Sequence, residues 1–196
     1  SEEFVRGGKM TEDLLLADRH VKPLGGILCL GCPASAGAVD PAPVAAALRS
    51  ASIAGHSETR VSGNHVLLAR GRLPGAGNWS HQYGNPDNTA VSRETRVKGD
   101  LGVLWYGDPG ADQMVNRHDG AVGPLAVDGR LFVQGETSIL AYDAYNGAHL
   151  WTEENPEAVR TGVFQNQNPG NLAAGEGSLF HFHGDLCYQL DQATGK

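Results

Sequence analysis

Cys29 and Cys32 are separated by two residues, the spacing of a metal-binding or redox-active thiol pair. A zinc site needs four ligands, and the chain's third cysteine, Cys187, stands alone, so no second pair completes one. The two thiols are therefore expected as buried cysteines at a strand end, and no metal site is expected. His181, His183 and Asp185 alternate, so a strand would present all three on one side, where they could in principle hold a cation. Asn116, Arg117 and His118, followed by Asp119, form a polar cluster in a stretch read as a loop, the kind of place where ligands are bound. No Gly-x-Ser-x-Gly elbow occurs, no serine, histidine and aspartate are spaced to argue a triad, and catalytic residues are not assigned. Asn78-Trp79-Ser80 fits a glycosylation sequon, which has meaning only in a eukaryotic secretory pathway.

The elements that would position these groups differ along the chain. Of 196 residues, 27 are glycine and only 19% are charged, so turns must be frequent, while a 40% hydrophobic share still suffices for a core. The apolar runs are far shorter than the roughly 20 residues that cross a bilayer, so no transmembrane segment is expected. Residues 1–75 carry a net charge of +1 and residues 76–196 a net of −8. Acidity of that kind repels phosphate backbones and argues against nucleic acid as a partner.

Residues 1–72 mix helical and strand patterns. Thr11 is placed to cap a helix with Glu12 and Asp13 in its first turn and Leu14, Leu15 and Leu16 following. Ile27-Leu28-Cys29-Leu30, bounded by glycines, reads as a short, fully buried strand of a parallel sheet. Asp40 and Pro41 open a second helix that Gly55 can close, and 58–61 and 65–69 are strands joined by Ser62-Gly63-Asn64. That order, with Arg19-His20-Val21-Lys22-Pro23-Leu24-Gly25-Gly26-Ile27-Leu28, resembles the C-terminal end of class I S-adenosylmethionine-dependent methyltransferases. The resemblance implies a Rossmann-like α/β tail and a methyl-donor cofactor, whose glycine-rich loop and acidic ligand would lie before Ser1. Leu73-Pro74-Gly75-Ala76-Gly77 reads as a linker.

Beyond it the sequence repeats. At an offset of 48, Ala126 matches Ala174, Gly129 Gly177, Leu131 Leu179, Phe132 Phe180, Asp143 Asp191 and Gly147 Gly195. A period of this size marks a solenoid, propeller or array, here of small antiparallel meanders. Trp105 precedes Trp151 by 46 residues, so it belongs to an earlier unit, and the next tryptophan would fall near position 199.

Ala141-Tyr142-Asp143-Ala144-Tyr145-Asn146-Gly147-Ala148-His149-Leu150-Trp151 closely resembles the tryptophan-docking motif of pyrroloquinoline-quinone-type β-propellers, with Asn146 where threonine is usual. Leu190-Asp191-Gln192-Ala193-Thr194-Gly195-Lys196 repeats it with the threonine in place, and residues 78–89 look like the segment that leads into such propellers. The resemblance implies structural roles for Trp105, Asp143, Gly147, Trp151, Asp191 and Gly195: tight turns, with each indole laid flat between neighbouring blades. The dehydrogenases of that family usually carry adjacent cysteines and calcium ligands, and adjacent cysteines are absent here.

The expected fold class is thus mixed, a Rossmann-like α/β tail over 1–72 followed, after a linker at 73–77, by the first antiparallel blades of an incomplete β-propeller over 78–196. The chain is read as an internal piece of a longer multidomain protein, and the open sheet edges of 78–196 predict aggregation or partial disorder when that part is expressed alone. The expected function is a binding or scaffold module, with a protein or small ligand on the propeller. A methyltransferase with an appended propeller and a pyrroloquinoline-quinone-dependent dehydrogenase are the alternatives, with S-adenosylmethionine or pyrroloquinoline quinone as the cofactor of the whole protein. The propeller resemblance implies the periplasm or cell envelope, an active methyltransferase the cytoplasm.

Overall fold

A computed structural model of the chain describes residues 10–31, 42–43, 46, 56–107, 113, 123–155, 172–183 and 185–196. The chain divides into two compact units, Ser1–Pro74 and Gly75–Lys196.

In the first unit, α1 (Met10–Arg19) begins one residue before Thr11, the expected cap. Leu14 and Asp18, four apart and so on one face, are its buried positions. The helix ends against an arginine: Nη1 of Arg70 donates to the carbonyl of Asp18 at 2.7 Å and to that of Val21, and Nη2 lies 3.9 Å from the Asp18 carboxylate. A cation on the orphan carbonyls of a helix C-terminus satisfies both their hydrogen-bonding capacity and the dipole. Strands β1 (Ile27–Gly31), β2 (His56–Ser62) and β3 (His65–Arg70) form one sheet in the order β1-β3-β2. The turn between β2 and β3 is where it was expected, and Gly63 there takes a positive φ of 55°. Val66 and Leu68 of the central strand point the same way and, with Leu14, are buried.

The expected parallel-sheet strand is corrected. Strand β1 pairs antiparallel with β3, from Ile27 opposite Ala69 to Gly31 opposite His65, and its residues alternate between exposed and half-buried, with Ile27 60% exposed. A strand with one described partner and one covered face shows that alternation, whereas a continuous apolar run alone cannot distinguish it from a fully buried strand. Among the described residues no pair of strands is hydrogen-bonded in parallel and no Rossmann-like tail is seen. The helix expected from Asp40 falls largely outside the described residues, of which Ala42, Pro43 and Ala46 are helical.

The described strands of the second unit all pair antiparallel. Strands β4 (Leu125–Val127), β5 (Arg130–Gln134), β6 (Ser138–Asp143) and β7 (His149–Glu154) make a four-stranded meander; β8 (Leu172–Gly175), β9 (Ser178–His183) and β10 (Leu186–Asp191) make a three-stranded one. The two sheets are built alike. The turn Asp128-Gly129 has φ of 51° and 75°, its counterpart Glu176-Gly177 has 50° and 79°, and two successive positive values are the two-residue hairpin turn that matches the strand twist. Leu125, Val127, Phe132, Ile139, Ala141 and Trp151 of the first sheet bury themselves against Leu172, Ala174, Leu179 and Leu190 of the second, with Trp79 alongside. Two antiparallel sheets stacked in this way fit adjacent blades of a β-propeller. No helix among the described residues is long and apolar enough to cross a membrane.

Candidate functional site

The residues that could do chemistry in the second unit are drawn into its joints. Asp143 closes the β6–β7 turn by accepting the Tyr145 amide at 2.9 Å on its carboxylate and the Gly147 amide at 2.9 Å on its carbonyl. Asp191 does the same with Ala193 at 3.0 Å and Gly195 at 2.8 Å. Gly147 and Gly195 both have positive φ, 73° and 72°, a conformation that glycine adopts without penalty. Over each glycine lies an indole from the preceding repeat. Nε1 of Trp105 donates to the carbonyl of Ala144 at 2.9 Å, and Nε1 of Trp151 donates to the carbonyl of Gln192 at 3.0 Å, one residue past the aspartate in each case. A Cβ on Gly195 would stand 2.7 Å from the Trp151 ring, and one on Gly147 would press into the Trp105 ring. Trp151 also packs on Phe132, ring centres 5.8 Å apart, and Trp105 stacks on Tyr142 at 6.4 Å.

The two joints differ at the position before the glycine. Thr194 donates its hydroxyl to the Asp191 carboxylate at 2.9 Å and its amide at 2.8 Å. Asn146 instead turns away to accept the Ala148 amide at 2.9 Å. The Thr194 hydroxyl, its amide and that of Ala193 hold the Asp191 carboxyl below the usual carboxylate range, with a smaller contribution from Arg130. A carboxyl with a depressed folded-state pKa contributes stability above its unfolded value, and that stability is lost as pH falls through the lower, folded value. The melting temperature of Thr194→Val is therefore expected to lie below that of the unaltered chain at pH 6, and the gap to narrow as the pH falls below the ordinary aspartate value and through the lower, folded one. A gap independent of pH would mean that the hydroxyl supports the turn in some other way.

The lead-in segment has a placement that the sequence did not reveal. Trp79 exchanges backbone hydrogen bonds with Ala126 at 2.7 and 2.9 Å, and the Ser80 carbonyl accepts the Ala174 amide at 2.9 Å. Residues 79–81 thus run between β4 and β8, joining the first strands of the two sheets. Glu94 ties the loop behind them, accepting the Gly77 amide at 2.8 Å, and this bond is the chief cause of its lowered pKa. Asn78 is engaged with Asp128, side chain to side chain at 3.1 Å and amide to side chain at 3.2 Å, so the sequon's own nitrogen is already donating.

The other candidates separate. Cys29 is an exposed free thiol on β1 rather than a buried one, and Cys32 lies outside the described residues. His181 is buried and stacks on Tyr188 with ring centres 5.1 Å apart, while the His183 side chain lies outside the described residues. Among the described residues no three histidine, cysteine or acidic side chains are grouped as a metal would need. Asn116, Arg117 and His118 lie outside the described residues. One polar cluster was not foreseen: Gln134 donates to the carbonyls of Gly135 at 2.8 Å and Ser138 at 3.2 Å, and buried Asn155 reaches Gln134 at 3.5 Å. Isolated amides carry no periodic signal that would have marked them.

The class defined by these sheets and joints is a stack of antiparallel, tryptophan-docked blades. No family model and no curated protein matches the chain. Among solved structures, a quinohemoprotein alcohol dehydrogenase from Pseudomonas putida HK5 is similar at 21% identity and a TM-score of 0.43 over 61% of this chain. The chain spans 18% of that protein's length, so the blade reading rests on the sheets and joints themselves.

Proposed function

We propose that the second unit is a non-catalytic scaffold of propeller blades that presents its surfaces to a binding partner. The observation that supports this reading most is the use of every docking-motif residue in packing: each aspartate closes a turn, each glycine seats an indole, and each indole donates to the neighbouring sheet. Groups held in this way serve to close the turns and join the sheets. Calorimetric titration of the chain with pyrroloquinoline quinone and calcium is expected to give no saturable heat; stoichiometric, saturable binding would overturn the reading.

A further inference from the structure

The turn between β6 and β7 contains the sequence's one Asn-Gly step, Asn146-Gly147, and its groups are arranged for a reaction that needs only water. A glycine amide has no Cβ beside it, so it is the backbone nitrogen best able to reach the carbonyl carbon of a preceding asparagine side chain. Asn146 is exposed, and its Oδ1 accepts the Ala148 amide at 2.9 Å. A donor on that oxygen polarises the side-chain carbonyl and stabilises the negative charge that an attack at Cγ places there. The nucleophile, by contrast, is held back. The Gly147 amide donates to the Asp143 carbonyl at 2.9 Å, so its nitrogen can neither lose its proton nor turn toward Cγ while that bond stands. Trp105 keeps the bond in place: its ring lies against Gly147 and its Nε1 donates to the Ala144 carbonyl at 2.9 Å, so one indole clamps both ends of the turn. In the second joint the same position is Thr194, which has no side-chain amide to lose.

We propose that Asn146 is a site of spontaneous deamidation that the docked indole of Trp105 keeps latent, and that release of this joint starts the reaction. When the bond to Asp143 opens, the Gly147 nitrogen gives up its proton and bonds to Cγ of Asn146; the Cγ–Nδ2 bond breaks, and ammonia leaves with that proton. The cyclic imide so formed takes up a water molecule. Cleavage of the new N–Cγ bond leaves aspartate, whereas cleavage of the bond to the main-chain carbonyl carbon leaves isoaspartate, with the chain now running through Cβ and Cγ. No oxidant or reductant is involved. The two products differ in what they do to the turn. Aspartate at 146 still offers an oxygen to the Ala148 amide, but isoaspartate adds a methylene to the backbone between Asp143 and Gly147, so the glycine no longer falls under the indole at the spacing the turn sets. A local opening that is otherwise reversible is thereby made permanent. Trp105 is half-buried where Trp151 is 8% exposed, so the susceptible step lies at the joint that opens more readily. The docking geometry carries this proposal, whether or not the blades hold a partner.

The full chain is incubated at mildly alkaline pH, folded or in urea, and then digested at low pH, where the reaction is slow. Peptide mass spectrometry reads deamidation at 146 as a gain of about 1 Da, with fragment ions that separate aspartate from isoaspartate. In urea the gain is expected at Asn146 ahead of the other asparagines, with both products present, and in the folded chain it is expected to be about tenfold slower or more. Trp105→Ala, its fold checked by circular dichroism, is expected to raise the folded rate about threefold or more. Trp151→Ala removes the more buried indole but leaves the first turn docked, so it should accelerate the reaction less than Trp105→Ala does. An acceleration that came from general unfolding would be the larger in Trp151→Ala, and that result would overturn the proposal. Equal rates in the folded chain and in urea, an unchanged rate in Trp105→Ala, or no reaction at 146 in urea would overturn it as well. If Trp105→Ala does not fold, Trp105→Phe takes its place: it keeps a ring over Gly147 but loses the bond to Ala144, and it too should deamidate faster than the unaltered chain.

Discussion

Trp151→Ala is expected to lower the unfolding free energy of the second unit by about 3–5 kcal/mol, the range for a large aromatic removed from a packed core. The side chain is 8% exposed, stacks on Phe132 and sits on Gly195. Burial of an indole of about 200 Å² at roughly 25 cal/mol per Å² amounts to about 5 kcal/mol by itself. The bond from Nε1 to Gln192 adds about 1 kcal/mol, because without it the carbonyl is left unpaired in a buried joint. Against a total stability of about 5–15 kcal/mol, such a loss is a large fraction. Far-ultraviolet circular dichroism in urea measures it. A shift below about 1 kcal/mol would mean that the indole is not inserted between the sheets. Trp105→Ala should cost less, since Trp105 is only half-buried.

Gly195→Ala is expected to destabilise by about 2–4 kcal/mol, and Gly177→Ala by about 1 kcal/mol. The comparison separates two effects that usually travel together. Both glycines have positive φ, 72° and 79°, so both alanines suffer the same backbone penalty. A Cβ at 177 meets nothing within 4 Å, whereas one at 195 stands 2.7 Å from Trp151, so only the second variant must also push the indole aside. Urea midpoints give the stability difference, and a red shift of tryptophan emission in Gly195→Ala alone would report the displaced ring. Equal costs for the two variants would remove the close approach as the reason for glycine at 195.

Much of the second unit was legible in the sequence because its constraints are local and repeat. A two-residue turn needs glycine at a fixed place, a docked indole needs glycine beneath it, and both recur at an offset of 48. The first unit was less legible. The run Ile27-Leu28-Cys29-Leu30 looks the same whether a strand is covered on both faces or on one, and its partner β3 lies more than thirty residues away, a distance over which no pattern speaks. The lead-in segment failed for a related reason. Trp79 and Ser80 join β4 and β8 through backbone atoms, which every residue has, so nothing in their side chains announces the bridge. The difference between Asn146 and Thr194 was visible as a substitution, but its effect on the turn was not. Only the geometry shows the hydroxyl of one reaching the carboxylate and the amide of the other reaching past it.

The docking of each indole on the glycine of the following turn is tested most directly by a double-mutant cycle between Trp151→Ala and Gly195→Ala, read as unfolding free energy in urea. With Trp151 present, alanine at 195 should cost about 2–4 kcal/mol; with Trp151 already removed, the clash is gone and the cost should fall to the roughly 1 kcal/mol of the backbone alone. Strictly additive effects, with the same penalty at 195 in both backgrounds, would show that the two residues do not touch and that the sheets are held together in some other way.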